Sequence, residues 1–491
     1  MAERNLLPPL EILAQIILFA PREARRTCLL VSRLFHDLAI PMVFSRVTIH
    51  LGAWERWCYG VSHPAVGANF SKSFRTLADE RGAITADILH RIMVDRGFAK
   101  AVRRLEILAF NYFDGQDSAF QLRCLSLALK NMYNLRSLVW YGGRPLPSPD
   151  IVNTLAEACL SLHEIALPCP ALERLSLRNV KSLDSIVPSG THMNLAGYRH
   201  DDIVERSTID VPGDSLREIC IPGSWADVIS SNVLPALTCV ELLFLPSRCL
   251  ETLGSFLAQL SQLRSLTMDV GKGDVHSVLL LLASSRIHHP RLTSLCLLHP
   301  NDEDYEFTPE DLQVLPDILS NRCELRRLRL LYTFSWSHRD QFLGVLHTLK
   351  NVEVLELVLK HYRITRDLRV TRDVITSFAA CLPSDLAALA LTFNADIEPG
   401  SFEPIWSSCP QLEYFHVRSF AGLESVEDLV TGSRNLKVIG RNDRLHGVEY
   451  LGGNPVVSDH WPESTVMFRR AELYECPGWE WLTRHTSMSR S

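Results

Sequence analysis

The sequence predicts an α/β protein in which a short three-helix head precedes a long solenoid of parallel strands and helices. Three observations carry this reading. Residues 7–44 form the densest apolar segment of the chain, and prolines cut it into helix-sized pieces. From residue 105 onward a six-residue pattern returns: apolar, two variable, apolar, one variable, apolar. Helical periodicity fills most of the gaps between its copies.

The head comes first. Leu7-Pro8-Pro9-Leu10-Glu11 suits a helix start, because proline is tolerated in the first turn and an acid there complements the helix dipole. Along the helix that follows, Leu10, Leu13, Ile17 and Ala20 form one apolar stripe, and Ile12, Ile16 and Phe19 a second. Pro21 stops it. A second helix is expected from Arg22 to Leu30, with Arg22, Arg25 and Arg26 outward. A third runs from Ser32 to Ile40, with Ser32 as N-cap, Leu34, Phe35 and Leu38 inward, and Pro41 as its end. Val43 to Ile49 then turns to strand-like composition. A helix with two apolar stripes needs cover on two sides. So small a unit is marginal alone, so its surplus face meets another part of the chain or a partner.

The run from Leu7 to Ile49 resembles an F-box, the module that binds the small adaptor subunit of cullin-based (SCF) ubiquitin ligases. Leu7-Pro8, Glu11-Ile12-Leu13, Ile16, the Leu30-Val31-Ser32-Arg33 box, Phe35 and Leu38 carry the resemblance. Two positions depart from the family pattern. Leu10 lengthens the usual L-P-x-E spacing by one residue, and Phe35 stands where the family more often has Trp. The resemblance implies an F-box module over residues 5–50. It implies an adaptor contact through Leu7, Pro8, Glu11, Ile12, Leu13, Ile16, Val31, Ser32, Phe35 and Leu38, and a cullin reached through that adaptor. Taken without the resemblance, the same residues also suit a plain helical cap on the domain that follows.

The six-residue pattern appears as Leu105-Leu108-Phe110, Leu135-Leu138-Trp140, Leu162-Ile165-Leu167, Leu172-Leu175-Leu177 and, weakly, Leu195-Tyr198. It continues as Leu216-Ile219-Ile221, Leu237-Val240-Leu242, Leu263-Leu266-Met268, Leu292-Leu295-Leu297 and Leu325-Leu328-Leu330. Val352-Leu355-Leu357, Leu386-Leu389-Leu391, Leu412-Phe415-Val417 and Leu436-Ile439 complete it. The copies at 162 and 172 are too close for both to be ladder strands. With one of them counted, the mean spacing is about 27.6 residues, near the top of the ~20–29 of leucine-rich repeats. Positions one, four and six face the solenoid core, and each strand pairs in parallel with the next. Helices are expected over 150–159, 249–260, 275–283, 312–319, 339–349 and 372–382. The repeats are degenerate and lack a regular asparagine after the strand. The predicted architecture is thus an F-box head followed by a leucine-rich-repeat solenoid, strands on the concave face and helices on the convex face. Residues 51–102 read as a connector or start of the solenoid with a helix from Thr85 to Arg96, 103–440 as the leucine-rich-repeat-like solenoid, and 441–491, with Trp461, Trp479 and Trp481, as a C-terminal cap and tail.

Composition excludes several function classes. The chain is 46% hydrophobic and 22% charged, too apolar for disorder. Its net charge of −6 gives no basic footprint for nucleic acid. No apolar run approaches the ~20 residues of a membrane helix, and the N-terminus lacks the form of a secretory signal. Thirteen scattered cysteines with no C-x-x-C pair point to free thiols in a reducing compartment, cytosol or nucleus. No catalytic motif is present, so no enzymatic activity, cofactor or metal is expected. Gly271-Lys272-Gly273 and His288-His289-Pro290 read as turns. An acidic stretch (Asp302, Glu303, Asp304, Glu306, Glu310, Asp311) and a basic one (Lys360, Arg363, Arg366, Arg369, Arg372) read as solvated loops, or as docking sites for a partner.

Positions three and five of each motif alternate away from the core, onto the expected concave face. They include Arg327 and Arg329, Val354 and Glu356, Ala388 and Ala390, and Tyr414 and His416. Arg329 and Glu356 on neighbouring strands suit a surface cross-strand pair. Arg327, Arg329, Glu356, Tyr414 and His416 also suit a patch for an acidic or phosphorylated substrate segment. The expected function is a non-enzymatic substrate receptor of an SCF ligase, the repeats binding a protein substrate. The alternative is a protein-interaction scaffold whose head serves another partner.

Overall fold

The computed structural model describes residues 8–55, 68–111, 118–168, 171, 185–188, 215–226, 229, 231–245, 249–270, 275–284, 289–298, 306–334, 338–359, 369–393, 396–419, 425–442, 444–462, 465–466 and 477–483. The chain divides into two compact units, Met1–Glu218 and Ile219–Ser491.

The first unit opens with α1 (Leu10–Phe19), α2 (Arg22–Val31) and α3 (Arg33–Val43). Ser32 caps α3, its hydroxyl accepting from the Phe35 N–H at 3.3 Å, as expected. Pro41 does not end α3, which runs on to Val43 with Pro41 inside it. A proline there forfeits one backbone hydrogen bond but leaves the preceding turns intact. The two stripes of α1 separate only in part, because Leu10 of the first stripe is exposed with the second. Leu13 and Ile17 are buried, while Ile12, Ile16 and Phe19 are exposed.

Parallel strands follow: β1 (Arg46–Gly52), β2 (Arg104–Phe110), β3 (Ser137–Arg144), β4 (Glu164–Leu167) and β5 (Ser185–Pro188). The ladder therefore begins at residue 46, inside the segment read as head. Val47 and Ile49 pair with Leu105 and Ile107, so Phe44-x-x-Val47-x-Ile49 is a first copy of the motif with Phe in place of Leu. Leu105 and Ile107 in turn pair with Leu138 and Trp140. That register makes the second copy Val102-x-x-Leu105-x-Ile107, three residues earlier than the spacing suggested, and Val102 is fully buried. Leu162-Ile165-Leu167 is a ladder strand; its neighbour is Ile186 of β5, from an unrecognised copy beginning at Leu183. The sequence copies at 172 and 195 lie outside the described residues.

The connector is dominated by a helix, Ala68–Val94, much longer than expected. Thr85 on it both accepts from the His50 N–H at 2.9 Å and donates to the His50 carbonyl at 3.1 Å, fastening the helix to β1. Near its end Arg91 lies over the rings of Phe44 and Phe98, 5.6 and 4.6 Å from their centroids.

The second unit carries β6 (Glu218–Pro222), β7 (Cys239–Leu245), β8 (Ser265–Val270), β9 (Ser294–Leu298), β10 (Arg327–Thr333) and β11 (Val354–Leu359). After the short β12 (Arg369–Val370) come β13 (Ala388–Phe393), then β14 (Asp396–Ile397), which pairs only with β12, and β15 (Tyr414–Ser419) and β16 (Val438–Arg441). Strands β7, β8, β9, β10, β11, β13, β15 and β16 pair in that order, all parallel. Helices lie between them at Leu250–Ala258, Val275–Ala283, Pro309–Ser320, Arg339–Leu346, Arg372–Ala379 and Glu403–Ser408. Successive turns are tied by one recurring backbone device. The carbonyl just before a strand accepts from two consecutive N–H groups of the next turn: Thr238 from Arg264 and Ser265, Arg264 from Thr293 and Ser294, Thr293 from Arg326 and Arg327. The same device recurs through Arg326, Glu353, Ala387 and Glu413, so no regular asparagine is needed to hold the register.

The end of the array differs from a simple cap. β17 (Arg444–Leu451) and β18 (Asn454–His460) add an antiparallel hairpin to β16. The last described helix, Pro477–Thr483, lies elsewhere, against β11 and β13.

Candidate functional site

Two surfaces answer to the residues singled out in the sequence. The first is the head. Ile12 is 51% exposed, Ile16 58%, Phe19 83%, Leu30 88% and Val31 61%. Pro8, Glu11 and Ser32 are exposed, and Phe35 and Leu38 half-buried. Leu13 departs from the expected set: it is buried with Ile17 inside the head and presents nothing outward. Leu7 lies outside the described residues. Phe19 and Leu30, outside the expected contact set, are the two most exposed large apolar side chains among the described residues. Their signal was present, Phe19 in the surplus stripe and Leu30 in the L-V-S-R box. An apolar surface of this kind is the usual mark of a binding face.

The second surface is the strand face turned away from the helices. Adjacent residues of β15 show the alternation. Phe415 packs on Trp406 of the helix Glu403–Ser408, ring centroids 5.1 Å apart, and Tyr414 on Trp479 of the C-terminal helix, 5.8 Å apart. Position five forms a continuous row by register: Glu241, Thr267, Cys296, Arg329, Glu356, Ala390, His416, Gly440. This face is not open. Val354, Ala388, Ala390 and Tyr414 belong to one apolar cluster with Val466, Trp479, Trp481 and Leu482, so the chain's own C-terminal segment covers it.

The expected surface pair Arg329–Glu356 is therefore a buried one. Arg329 Nε lies 2.6 Å from Glu356 Oε2, and both side chains are 1% exposed. Arg418, unremarked in the sequence, meets the same carboxylate at 3.2 Å from the other side. Its position six residues after Leu412, on the same face as His416, was the available signal. Arg327 is half-buried, and Tyr414 and His416 are fully buried. His416 is fixed at both ring nitrogens: the Tyr414 hydroxyl donates to Nδ1 at 3.0 Å, and Nε2–H donates to the Asn442 carbonyl at 2.6 Å. Burial, with the Arg418 and Arg329 cations adding to it, holds the imidazole well below its ordinary value of 6.5 and hence neutral.

That neutrality has a consequence for pH. Below about 6.5 the unfolded chain protonates His416 while the folded chain does not, so the unfolded state binds more protons and stability falls with acidification. A series of denaturant midpoints from about pH 7.5 down to about pH 5 is expected to show this loss, and a shallower one in His416→Gln. Equal slopes would contradict the assignment.

Only the ends of the two charged stretches fall among the described residues. Asp311 is buried as a reciprocal cap of Thr308, and takes His276 at 2.9 Å as well. Arg372 pairs with Glu403 at 2.5 Å. Residues 302–304 and 360–368, with 271–273 and His288, lie outside the described residues. Every described cysteine is free, and burial pushes Cys159, Cys296 and Cys409 up to about 12. Among the described residues no group of His, Cys, Asp and Glu is arranged to hold a metal ion, and no helix is long and apolar enough to cross a membrane.

The parallel ladder, the L-x-x-L-x-L register and the intervening helices define a leucine-rich-repeat-like α/β array. No protein-family model matches the chain, and no curated protein does. Among solved structures the chain is similar to the leucine-rich repeat-containing protein LegL7 from Legionella pneumophila, at 12% identity over 78% of this chain and 93% of that one, with a TM-score of 0.31. It is similar also to the complex of Rad7 and Elc1 from yeast, at 14% identity over 82% of this chain and 87% of that one, with a TM-score of 0.36.

Proposed function

We propose that the protein is the substrate-recognition subunit of a cullin-based (SCF) ubiquitin ligase, working in the cytosol or nucleus. The helical head, as an F-box, holds the adaptor subunit and through it a cullin. The repeats hold a protein substrate on the strand face near Arg327. The chain performs no chemistry itself; ubiquitin transfer belongs to other subunits, and no cofactor, membrane or nucleic acid enters.

One observation carries the reading. The head leaves Ile12, Ile16 and Val31 exposed, on the positions through which an F-box would meet its adaptor. Exposed apolar side chains of this size gain by being covered, at ~25 cal/mol per Å² of apolar area removed from water. The test is affinity purification of the full-length chain from cells, with mass spectrometry of what comes with it. Adaptor and cullin in stoichiometric amounts are expected. A different stoichiometric partner, lost when the head is altered, would replace the ligase reading with that of a scaffold.

A further inference from the structure

We propose that the strand face of the second unit is a binding site for a short helical peptide segment carrying two aromatic side chains. The chain's own helix Pro477–Thr483 holds that site as a stand-in until a partner displaces it. The proposal rests on the reading that the repeats hold a protein partner, and is independent of what the head binds.

The seat is shaped for indoles. Ala388 and Ala390 of β13 bring only small side chains to the cluster, and the Tyr414 ring on β15 lies 5.8 Å from Trp479. Trp479, Trp481 and Leu482 are buried with them, in a W-x-W-L spacing that a partner segment would reproduce. The helix is not needed to finish the array, because the β17–β18 hairpin already follows the last parallel strand. It returns instead to β11 and β13, in the middle of the strand face.

The covered face is also more polar than a core usually is, although its polar groups are paired with one another. Buried core positions are apolar almost without exception, since a buried polar group costs stability unless fully satisfied. Here the covered rows hold Arg329, Glu356 and His416, and further along Glu241, Thr267 and Asp269. Arg and Tyr on a concave or grooved face are the residue types that dominate binding energy at interfaces. The seat of the helix is imperfect as well: the Trp479 indole N–H is buried and meets no acceptor among the described residues. A buried donor left unmade weakens whatever places it there. A face more polar than a core usually is, covered by a short helix with an unsatisfied donor, is a site occupied in cis.

The test uses a fluorescein-labelled peptide with the sequence from Pro477 to His485, added to the full-length chain. Trp479→Ala/Trp481→Ala vacates the seat, and this variant is expected to bind the peptide saturably. The wild-type chain should bind it at least about tenfold more weakly, because a tethered occupant competes at high effective concentration. A variant that melts like the wild type yet binds no peptide would overturn the proposal, as would equal binding by both chains. A second measurement needs no variant. In hydrogen exchange of the wild-type chain, amides of 477–483 should exchange at least about a hundredfold faster than those of β11 and β13, since the helix must leave while the ladder stays. A common rate for helix and strands would make the helix integral core and end the proposal. Neither readout involves the adaptor, so failure here leaves the ligase reading standing, and failed adaptor recovery leaves this proposal standing.

Discussion

Replacing Ile12 and Val31 together by aspartate is expected to abolish recovery of the adaptor while leaving the melting of the chain unchanged. Both side chains are more than half exposed, so the folded protein loses little packing when they change. In a complex they would lie in the desolvated part of the interface, where an aromatic or large aliphatic anchor is worth ~2 kcal/mol or more. Two such losses, with two carboxylates to desolvate, amount to at least ~4 kcal/mol, or roughly a thousandfold in affinity. Leu13→Asp is the contrasting variant. Leu13 sits inside the head beside Ile17, and a charge there should unfold α1 to α3. Both variants would fail in a pull-down, but only the second would lose helical signal. Undiminished capture by the Ile12/Val31 variant would sink the F-box reading of the head. Loss of a different partner in its place would favour the scaffold.

The head and the repeat were legible in the sequence for the same reason, a strict period. Ile12, Ile16 and Phe19 fall on one side of a 3.6-residue helix and Leu13 and Ile17 on another, so two apolar stripes are legible, but not which of them the head leaves open. From Leu216 to Ile439 the strand motif was read in register, because leucine marks position one almost every time. Where the marker changes, the reading slipped. Phe44 hid the first strand, and Val102 at position one sent the second copy three residues downstream to a decoy, Leu108 and Phe110. Pro188 at position six hid β5. Leu13 belongs to the expected adaptor set by motif position, and nothing in the pattern of its stripe says that the head buries it. The burial of Arg329 and His416 was not legible at all. Alternation correctly puts them on the strand face, but the apolar cluster that closes this face takes in Trp479, 150 residues beyond Arg329 and 63 beyond His416. Local pattern says which way a side chain points; it does not say what comes back to meet it.

Glu356→Gln is expected to destabilise the second unit by roughly 3–5 kcal/mol, the usual cost of removing one partner from a buried ion pair. Its carboxylate stands between Arg329 Nε at 2.6 Å and Arg418 Nη1 at 3.2 Å. Without that charge, Arg329 is left buried with a second guanidinium nearby and a neutral His416 on the same face. Arg418→Gln should cost much less, because that side chain keeps partial access to water and the Arg329–Glu356 pair survives. The informative variant is the double one, Arg329→Met with Glu356→Leu. Buried ion pairs replaced by apolar groups of similar size are often neutral or stabilising, so it should recover most of the loss. Denaturant midpoints of the three variants decide the matter, provided the slope of the transition is unchanged. A double variant as unstable as Glu356→Gln would mean that Arg329 and Glu356 hold the strand face through more than their mutual charge. Full recovery would show that the pair is not kept for stability. The reason for its retention would then lie in what the face binds once the C-terminal helix has moved aside.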